Sequence, residues 1–272
     1  MKFERPMVWA TPVVLVAALA TFDANAQVPA LRAADCGGGN SETSGEVVRV
    51  IHCKSLLFAD SREVRFAAIE TLLAVLGDED QTRVAALMAA KTALETSAIH
   101  REISLHALGS RPDRYGRAYA FIQTLSDETL LQGERLAPGQ ALVSPAALAA
   151  RCRTYLREAE GDARTGGLGL WDGPYYVVSQ AVNPLDILEE QGRFALVDGR
   201  VTSVRENGGV IYVNFGQRWS EHFTLKILRR NEGIFAGAGL TPRALADRGI
   251  EVRGWIEQRG TPLMGAPRAG AA

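Results

Sequence analysis

The chain is poor in the residues that usually announce a function. It has three cysteines and four histidines in 272 residues. Three cysteines exclude a disulfide-stapled miniature scaffold, and the odd number leaves at least one without a partner in the chain. His52, His100, His106 and His222 show no metal-ligand spacing, so packing and surface roles are expected. The formal net charge is −1, which excludes a protein coated with nucleic acid; any polyanion site must be a local cluster of cations. After residue 26 no apolar run reaches the ~20 residues of a membrane span. The glycine-rich pieces Gly208-Gly209 and Gly237-Ala238-Gly239 lack the strand–loop–helix setting of a phosphate loop or dinucleotide site.

Lys2, Arg5, an apolar stretch from Met7 to Phe22 and the small residues Ala24-Asn25-Ala26 read as an export signal over 1–26, with an uncleaved N-terminal anchor as the alternative. The expected location is therefore periplasmic or secreted. Residues 27–45 read as a flexible lead-in. Cys152 is expected as a buried thiol, and Cys36 and Cys53 either bridge or remain inert thiols.

From Glu46 onward the pattern turns to strands. Val47–Ile51, Leu56–Phe58 and Val64–Ile69 predict a three-stranded meander. A helix follows over Glu79–Ser97, with an acidic start (Asp78, Glu79, Asp80) that suits the helix dipole. Its expected inner stripe is Val84, Leu87, Met88, Lys91 and Leu94. Glu102–Leu108 and Ala118–Leu125 read as strands, and Thr129–Leu136 as a short helix. Ser144-Pro145 is expected to cap a helix running to Ala163, with Leu148, Cys152, Tyr155 and Ala159 facing inward. Strands first and helices late predict a β-rich α+β unit, a small barrel with about three helices over 46–172.

A linker is expected over 173–191, a second small β-rich, OB-like unit over 192–262 and a disordered tail over 263–272. In the second unit Asn207-Gly208 marks a hairpin, and Phe223, Leu225 and Ile227 alternate as in a half-buried strand. Tyr212, Phe215, Trp219 and Phe223 lie among Arg218, Lys226, Arg229 and Arg230. That pattern fits either a platform for single-stranded nucleic acid or an ordinary β core with a basic edge.

Two short segments carry the strongest chemical signal: Val64-Arg65-Phe66-Ala67-Ala68-Ile69-Glu70-Thr71 and Asp113-Arg114-Tyr115-Gly116-Arg117. With the later Gly169-Leu170-Trp171 they make residues 46–172 resemble the staphylococcal-nuclease-like (thermonuclease) family. The resemblance implies an OB-type five-stranded barrel and Ca²⁺-dependent phosphodiester hydrolysis. It places Arg65 and Arg117 as the phosphate clamp, with Tyr115 and Gly116 in the same loop. Glu70 and Thr71 fall at metal-associated positions. A hard cation needs oxygen ligands there, and a glutamate activates the attacking water.

Two of the required anions are missing. The family's D-G-D-T-like turn aligns with His52-Cys53-Lys54-Ser55, so an ammonium stands where a metal-binding carboxylate belongs. Leu73 replaces the general base, and no acid occurs between Glu70 and Asp78. Losing a general base costs ~10²–10⁴ in rate, and losing the metal removes several kcal/mol more of charge stabilisation. The expectation is a thermonuclease-like protein without catalysis. Its role would be to bind phosphate, a nucleotide or single-stranded nucleic acid through Lys54, Arg65, Tyr115 and Arg117, or to engage an envelope protein partner, with no cofactor. Two alternatives stand beside it. In one, these residues form a structural ion-pair cluster with no ligand. In the other, the protein is an active Ca²⁺-dependent secreted endonuclease that draws relocated ligands and base from Asp60, Glu63, Asp78 and Asp113.

Overall fold

Val47, Val50, Leu56, Phe58, Val64 and Phe66 are apolar residues that strands can turn to one side, and one-sided burial shapes a β-ribbon. In the computed structural model they line the interior of a closed barrel. The structure describes residues 31–36, 42–71, 81–109, 112–146, 148–173, 175–217, 222–232, 241–259 and 261–265. The expected export signal therefore lies outside the described residues. So do Leu73, Asp78, Arg218, Trp219, Gly237-Ala238-Gly239 and most of the expected tail.

The first strands are β1 (Glu42–Ile51), β2 (Ser55–Phe58), β3 (Glu63–Phe66), β4 (Ile69–Glu70), β5 (Glu102–Ala107) and β6 (Ala118–Thr124). All but β4 form the barrel, in the order β1-β2-β3-β6-β5 and back to β1. Only β3 and β6 run parallel. This is the expected OB-like five-stranded barrel. Closure depends on β1, whose first half pairs with β5 and whose second half pairs with β2. The register slips between Val47 and Arg49, where a bulge lets one strand serve both neighbours.

The predicted single strand Val64–Ile69 is interrupted. Ala68 takes a left-handed φ of 62°, and Ala67 N–H donates to the Ala120 carbonyl. The chain then turns, and β4 pairs with β7 (Leu142–Val143) off the barrel wall. Ser144 N–H extends that ladder to the Ala68 carbonyl, and the helix expected to start at Ser144-Pro145 starts at Ala150 instead.

Among the helices, α1 (Gln81–Ala98) packs on β1. Its buried residues are Leu87, Ala90, Leu94 and Ala98, while Val84 and Met88 are 39% and 59% exposed. Alanines seat this helix close to the barrel, and a stripe drawn through the larger side chains misses them. Lys91 pairs instead with Glu95 one turn on. A short helix, α2 (Leu131–Leu136), covers β6. The next, α3 (Ala150–Thr165), begins well after the predicted cap, and its Ala149 N-cap makes no side-chain cap. It buries Cys152, Leu156, Glu160 and Ala163, whereas Tyr155 is 38% exposed. The Gly169-Leu170-Trp171 turn closes this unit backbone to backbone. Leu170 N–H donates to the Gly139 carbonyl, and a Cβ on Gly139 or Gly169 would collide with a carbonyl of the opposing segment.

The cysteine expectation is corrected. Cys36, in a 3-10 turn (Ala33–Cys36), is disulfide-bonded to Cys152 on α3, and Cys53 is the buried free thiol. The lead-in is thus partly built into the fold: Ala33 N–H donates to the buried Gln123 side chain.

Residues expected as a linker hold β8 (Val178–Gln180) and α4 (Pro184–Glu189). The second β-rich unit continues with β9 (Phe194–Arg200), β10 (Ser203–Asn207), β11 (Val210–Asn214), β12 (Thr224–Leu228), β13 (Gly249–Arg259) and β14 (Thr261–Gly265). Its seven strands follow the order β10-β11-β12-β14-β13-β9-β8. The β10–β11 turn has Gly208 and Gly209 at φ 57° and 75°, the double positive φ that two-residue hairpins favour. The C-terminal segment expected as tail begins as β14, with Met264 fully buried.

Alternation along β13 ties the two units together. Val252 and Ile256 face the core of the second sheet. Glu251, Arg253 and Trp255 share the opposite face and meet the first unit. Arg253 Nη1 donates to both Glu160 oxygens at 2.9 and 2.7 Å and to the Val143 carbonyl at 3.0 Å. Glu160 also accepts the Val143 N–H at 2.9 Å. Glu251 bridges Arg253 and Arg164, at 2.6 and 2.7 Å. Leu142, Leu170, Tyr176 and Leu196 add an apolar cluster drawn from both units.

The disulfide joins residues 116 apart, a loop long enough that chain-entropy reasoning gives it ~4–5 kcal/mol. Reduction, or Cys36→Ala with Cys152→Ala, is expected to lower stability by about 2–5 kcal/mol in urea unfolding. In the oxidised native chain a maleimide should label no cysteine until the protein unfolds, and then only Cys53. Rapid native labelling of Cys36 or Cys152 would contradict the pairing.

Candidate functional site

Strand register brings the two clamp arginines to one surface. Val64 and Arg65 pair in parallel with Ala118 and Tyr119, and one step back along that register sets Arg117 opposite Glu63. Odd-numbered residues of both strands therefore share the outer face, while Val64 and Phe66 fill the core. Arg65 is partly buried. Its Nε has no hydrogen-bond partner among the described residues and sits 4.0 Å from Glu63. Glu63 accepts a hydrogen bond from Ser55 Oγ at 2.7 Å.

Arg117 is held by its own loop. Its Nε and Nη2 donate to Asp113 Oδ2 at 2.9 and 2.7 Å. Asp113 Oδ1 accepts the Tyr115 and Arg117 N–H groups at 2.9 and 3.0 Å. Burial works against ionisation of Asp113, but these hydrogen bonds outweigh it and hold the carboxyl at about 2. The same bond raises the pKa of Arg117. Because the folded carboxyl lies below its ordinary value, this pair stabilises the loop fully above pH ~4 and loses that contribution as pH falls through ~2. Tyr115 is 64% exposed, with Arg114 and Arg117 guanidinium groups 4.7 and 4.5 Å from its ring centroid. The loop thus presents an exposed aromatic ring between two cations.

The position that the resemblance gives to a metal holds an ammonium. Lys54 ends the β1–β2 turn and is buried. Its ammonium is ion-paired with Glu70 on β4, and both side chains are almost enclosed. The ring of Trp255, from β13, lies 5.1 Å from Lys54 Nζ. Phe194 meets Trp255 edge-on, with centroids 6.2 Å apart. The ammonium therefore has a carboxylate on one side and an aromatic face on another, the two partners that best offset its burial.

These residues do not fit a Ca²⁺ ion. Glu70 is committed to an ammonium. Thr71 Oγ1 is buried with no partner among the described residues, but a single hydroxyl is no cation site. Of the alternative ligands, Asp60 pairs with Arg62, Glu63 with Ser55 and Asp113 with Arg117. Glu63 and Asp113 do lie beside the arginine pair, as partners of these donors. Among the described residues no group of three or more His, Cys, Asp or Glu side chains is placed to hold a metal.

Two features escaped the sequence reading. Arg135 is 2% exposed, and among the described residues its guanidinium makes one hydrogen bond, from Nη1 to the Ala90 carbonyl at 2.8 Å. Burial lowers its pKa, and burial raises that of its neighbour Cys53. Nothing in Gly133-Glu134-Arg135 marks it as interior. The second is the polar stripe on β13, which reads as a solvated strand face. In the second unit, Phe215 and Phe223 pack on each other in the core, with centroids 5.2 Å apart. They are therefore not a stacking platform. Tyr212 and Lys226 pair across β11 and β12 on the other face.

No family model matches the chain, and no curated protein matches it.

Breaking the Lys54–Glu70 pair from one side leaves a buried charge alone, which costs ~3–5 kcal/mol when burial is complete. Glu70→Gln is expected to destabilise by about 2–4 kcal/mol, and Lys54→Met by less. The double variant should be more stable than Glu70→Gln alone. Additive losses in chemical denaturation would show that the two side chains do not interact.

Proposed function

We propose that this protein is an exported, non-catalytic relative of the thermonucleases. Its barrel would bind phosphate groups on the Arg65–Tyr115–Arg117 surface. The resemblance in the 64–71 and 113–117 segments and the OB-like barrel support the descent. The observation that carries the loss of catalysis is the Lys54–Glu70 ion pair beneath Trp255. An ammonium at the metal position repels a second cation and consumes the carboxylate that would bind one. The Cys36–Cys152 disulfide supports an oxidising compartment.

On the binding side, the Arg65 guanidinium makes no hydrogen bond to a carboxylate among the described residues, Glu63 standing 4.0 Å from its Nε. Arg117 would meet a phosphate as an already neutralised group, since Asp113 occupies two of its donors. Binding on this surface is accordingly weak, and Arg65 carries most of it. Lys54 contributes no direct contact in this reading, because its charge is spent on Glu70 and Trp255.

Purified protein is expected to show no chelator-sensitive cleavage of single-stranded DNA or RNA with millimolar Ca²⁺. Inorganic phosphate at millimolar concentration should shift the amide resonances around Arg65 and Arg117, and Arg65→Ala should abolish those shifts. Combining Lys54→Asp with Leu73→Glu is expected to create Ca²⁺-dependent cleavage where the parent has none. Calcium-dependent hydrolysis by the parent would overturn the loss of catalysis and favour Glu63 and Asp113 as relocated acids. Silence at Arg65 and Arg117 on phosphate addition would end the binding half of the proposal.

A further inference from the structure

Beyond the barrel, we infer that the outer face of the second sheet carries a separate binding cleft for a nucleotide, either free or as one residue of a single strand. The cleft has a volume of about 450 Å³, within the ~300–1,000 Å³ range of small-ligand sites. It is built by strand register. Arg205, Tyr212 and Lys226 stand directly opposite one another across β10, β11 and β12, and all three line the cavity. One aromatic ring thus lies between two cations on a single rung of the sheet.

Among the described residues neither cation has an ion-pair partner and no carboxylate lines the cavity. Glu206, next to Arg205 in sequence, alternates to the other face and pairs there with Arg229 and Arg243; on the cavity's own face, Glu257 stands opposite Leu263 across β13 and β14. This contrasts with the barrel, where Asp113 and Glu70 neutralise Arg117 and Lys54. Uncompensated positive charge is therefore concentrated in the cleft.

The remaining lining favours a base over a bare anion. Buried Asn214 is fixed by hydrogen bonds with Ser203 and Thr224, at 3.1 and 3.2 Å, and forms a rigid floor. Asn207 and Gln217 are exposed at the cavity rim. Their side-chain amides both donate and accept, as a base edge requires. A tyrosine face supplies stacking that tolerates any base, and flanking cations follow the phosphates. A bare sulfate or phosphate would use the cations and leave Tyr212 idle.

The test uses the oxidised full chain and two probes. One is a fluorescein-labelled dT12 strand, followed by anisotropy across a salt series. The other is AMP, with ribose 5-phosphate as the baseless control, followed by calorimetry or NMR. Binding of dT12 is expected, with the AMP shifts centred on Tyr212. Tyr212→Leu should weaken dT12 binding about tenfold or more, the scale of one lost stack. Arg205→Gln with Lys226→Gln should flatten the slope of log K against log salt by about 1.4, the ~0.7 per contact expected for single strands. Binding of dT12 with no AMP shift identifies the strand as the source, and binding of both identifies the nucleotide unit. The inference is overturned if neither probe binds at millimolar concentration, or if ribose 5-phosphate matches AMP. It is equally overturned if these variants bind like the parent while Arg65→Ala abolishes binding, which would move the site to the barrel.

Discussion

Arg253 is the residue on which the rest of the arrangement turns. Its guanidinium leaves one sheet and enters the other unit, where Glu160 and the Val143 carbonyl receive it. Both charged side chains are more than nine-tenths buried. A buried ion pair of this kind adds little net stability against a well-packed apolar alternative, yet losing one partner costs ~3–5 kcal/mol. Its effect here is to fix position. With Arg253 seated, strand alternation sends Glu251 to Arg164 on one side and Trp255 to Lys54 on the other. Three contacts at two-residue spacing leave β13 a single way to lie on the barrel unit.

That docking also decides the surroundings of Lys54. Glu70 reaches Lys54 only because the chain breaks at Ala68 and carries β4 onto β7. Trp255 reaches Lys54 only because β13 is fixed above β7. At the position where the resemblance to thermonucleases would put a cation, the barrel holds an ammonium between a carboxylate and an indole. The Lys54–Glu70 pair is part of the interface between the two units. The two arginines next to it remain on the surface, where one is neutralised by its own loop and the other keeps an unused donor.

Much of this was legible in the sequence, and the parts that were not share a cause. The barrel strands follow from alternation at Val47–Val50, Leu56–Phe58 and Val64–Phe66, which is local information. Matching two short motifs to a known layout singled out Arg65 and Arg117, which the register of β3 and β6 sets on one face. Residues whose environment is set by distant segments were misread. Glu160 looks like an exposed helix residue because its partner is 93 positions away, and so the inner face of α3 was drawn through Tyr155 instead. Ser144-Pro145 has a good capping sequence, but Ser144 continues the β4–β7 ladder through the Ala68 carbonyl and the helix starts only at Ala150. Glu251, Arg253 and Trp255 alternate with Val252 and Ile256 as a solvated strand would, and no local signal says that the polar face is covered. Cys36 and Cys152 meet through the packing of the 3-10 turn on α3, which their spacing does not encode.

The central claim is that the Glu251–Arg253–Trp255 stripe makes the two units one cooperative structure. Differential scanning calorimetry of the oxidised chain measures this directly. The parent should melt in a single transition whose calorimetric and van't Hoff enthalpies agree, and Arg253→Ala should split it into two. Two resolved transitions in the parent, or a single unaltered melt in Arg253→Ala, would contradict the claim.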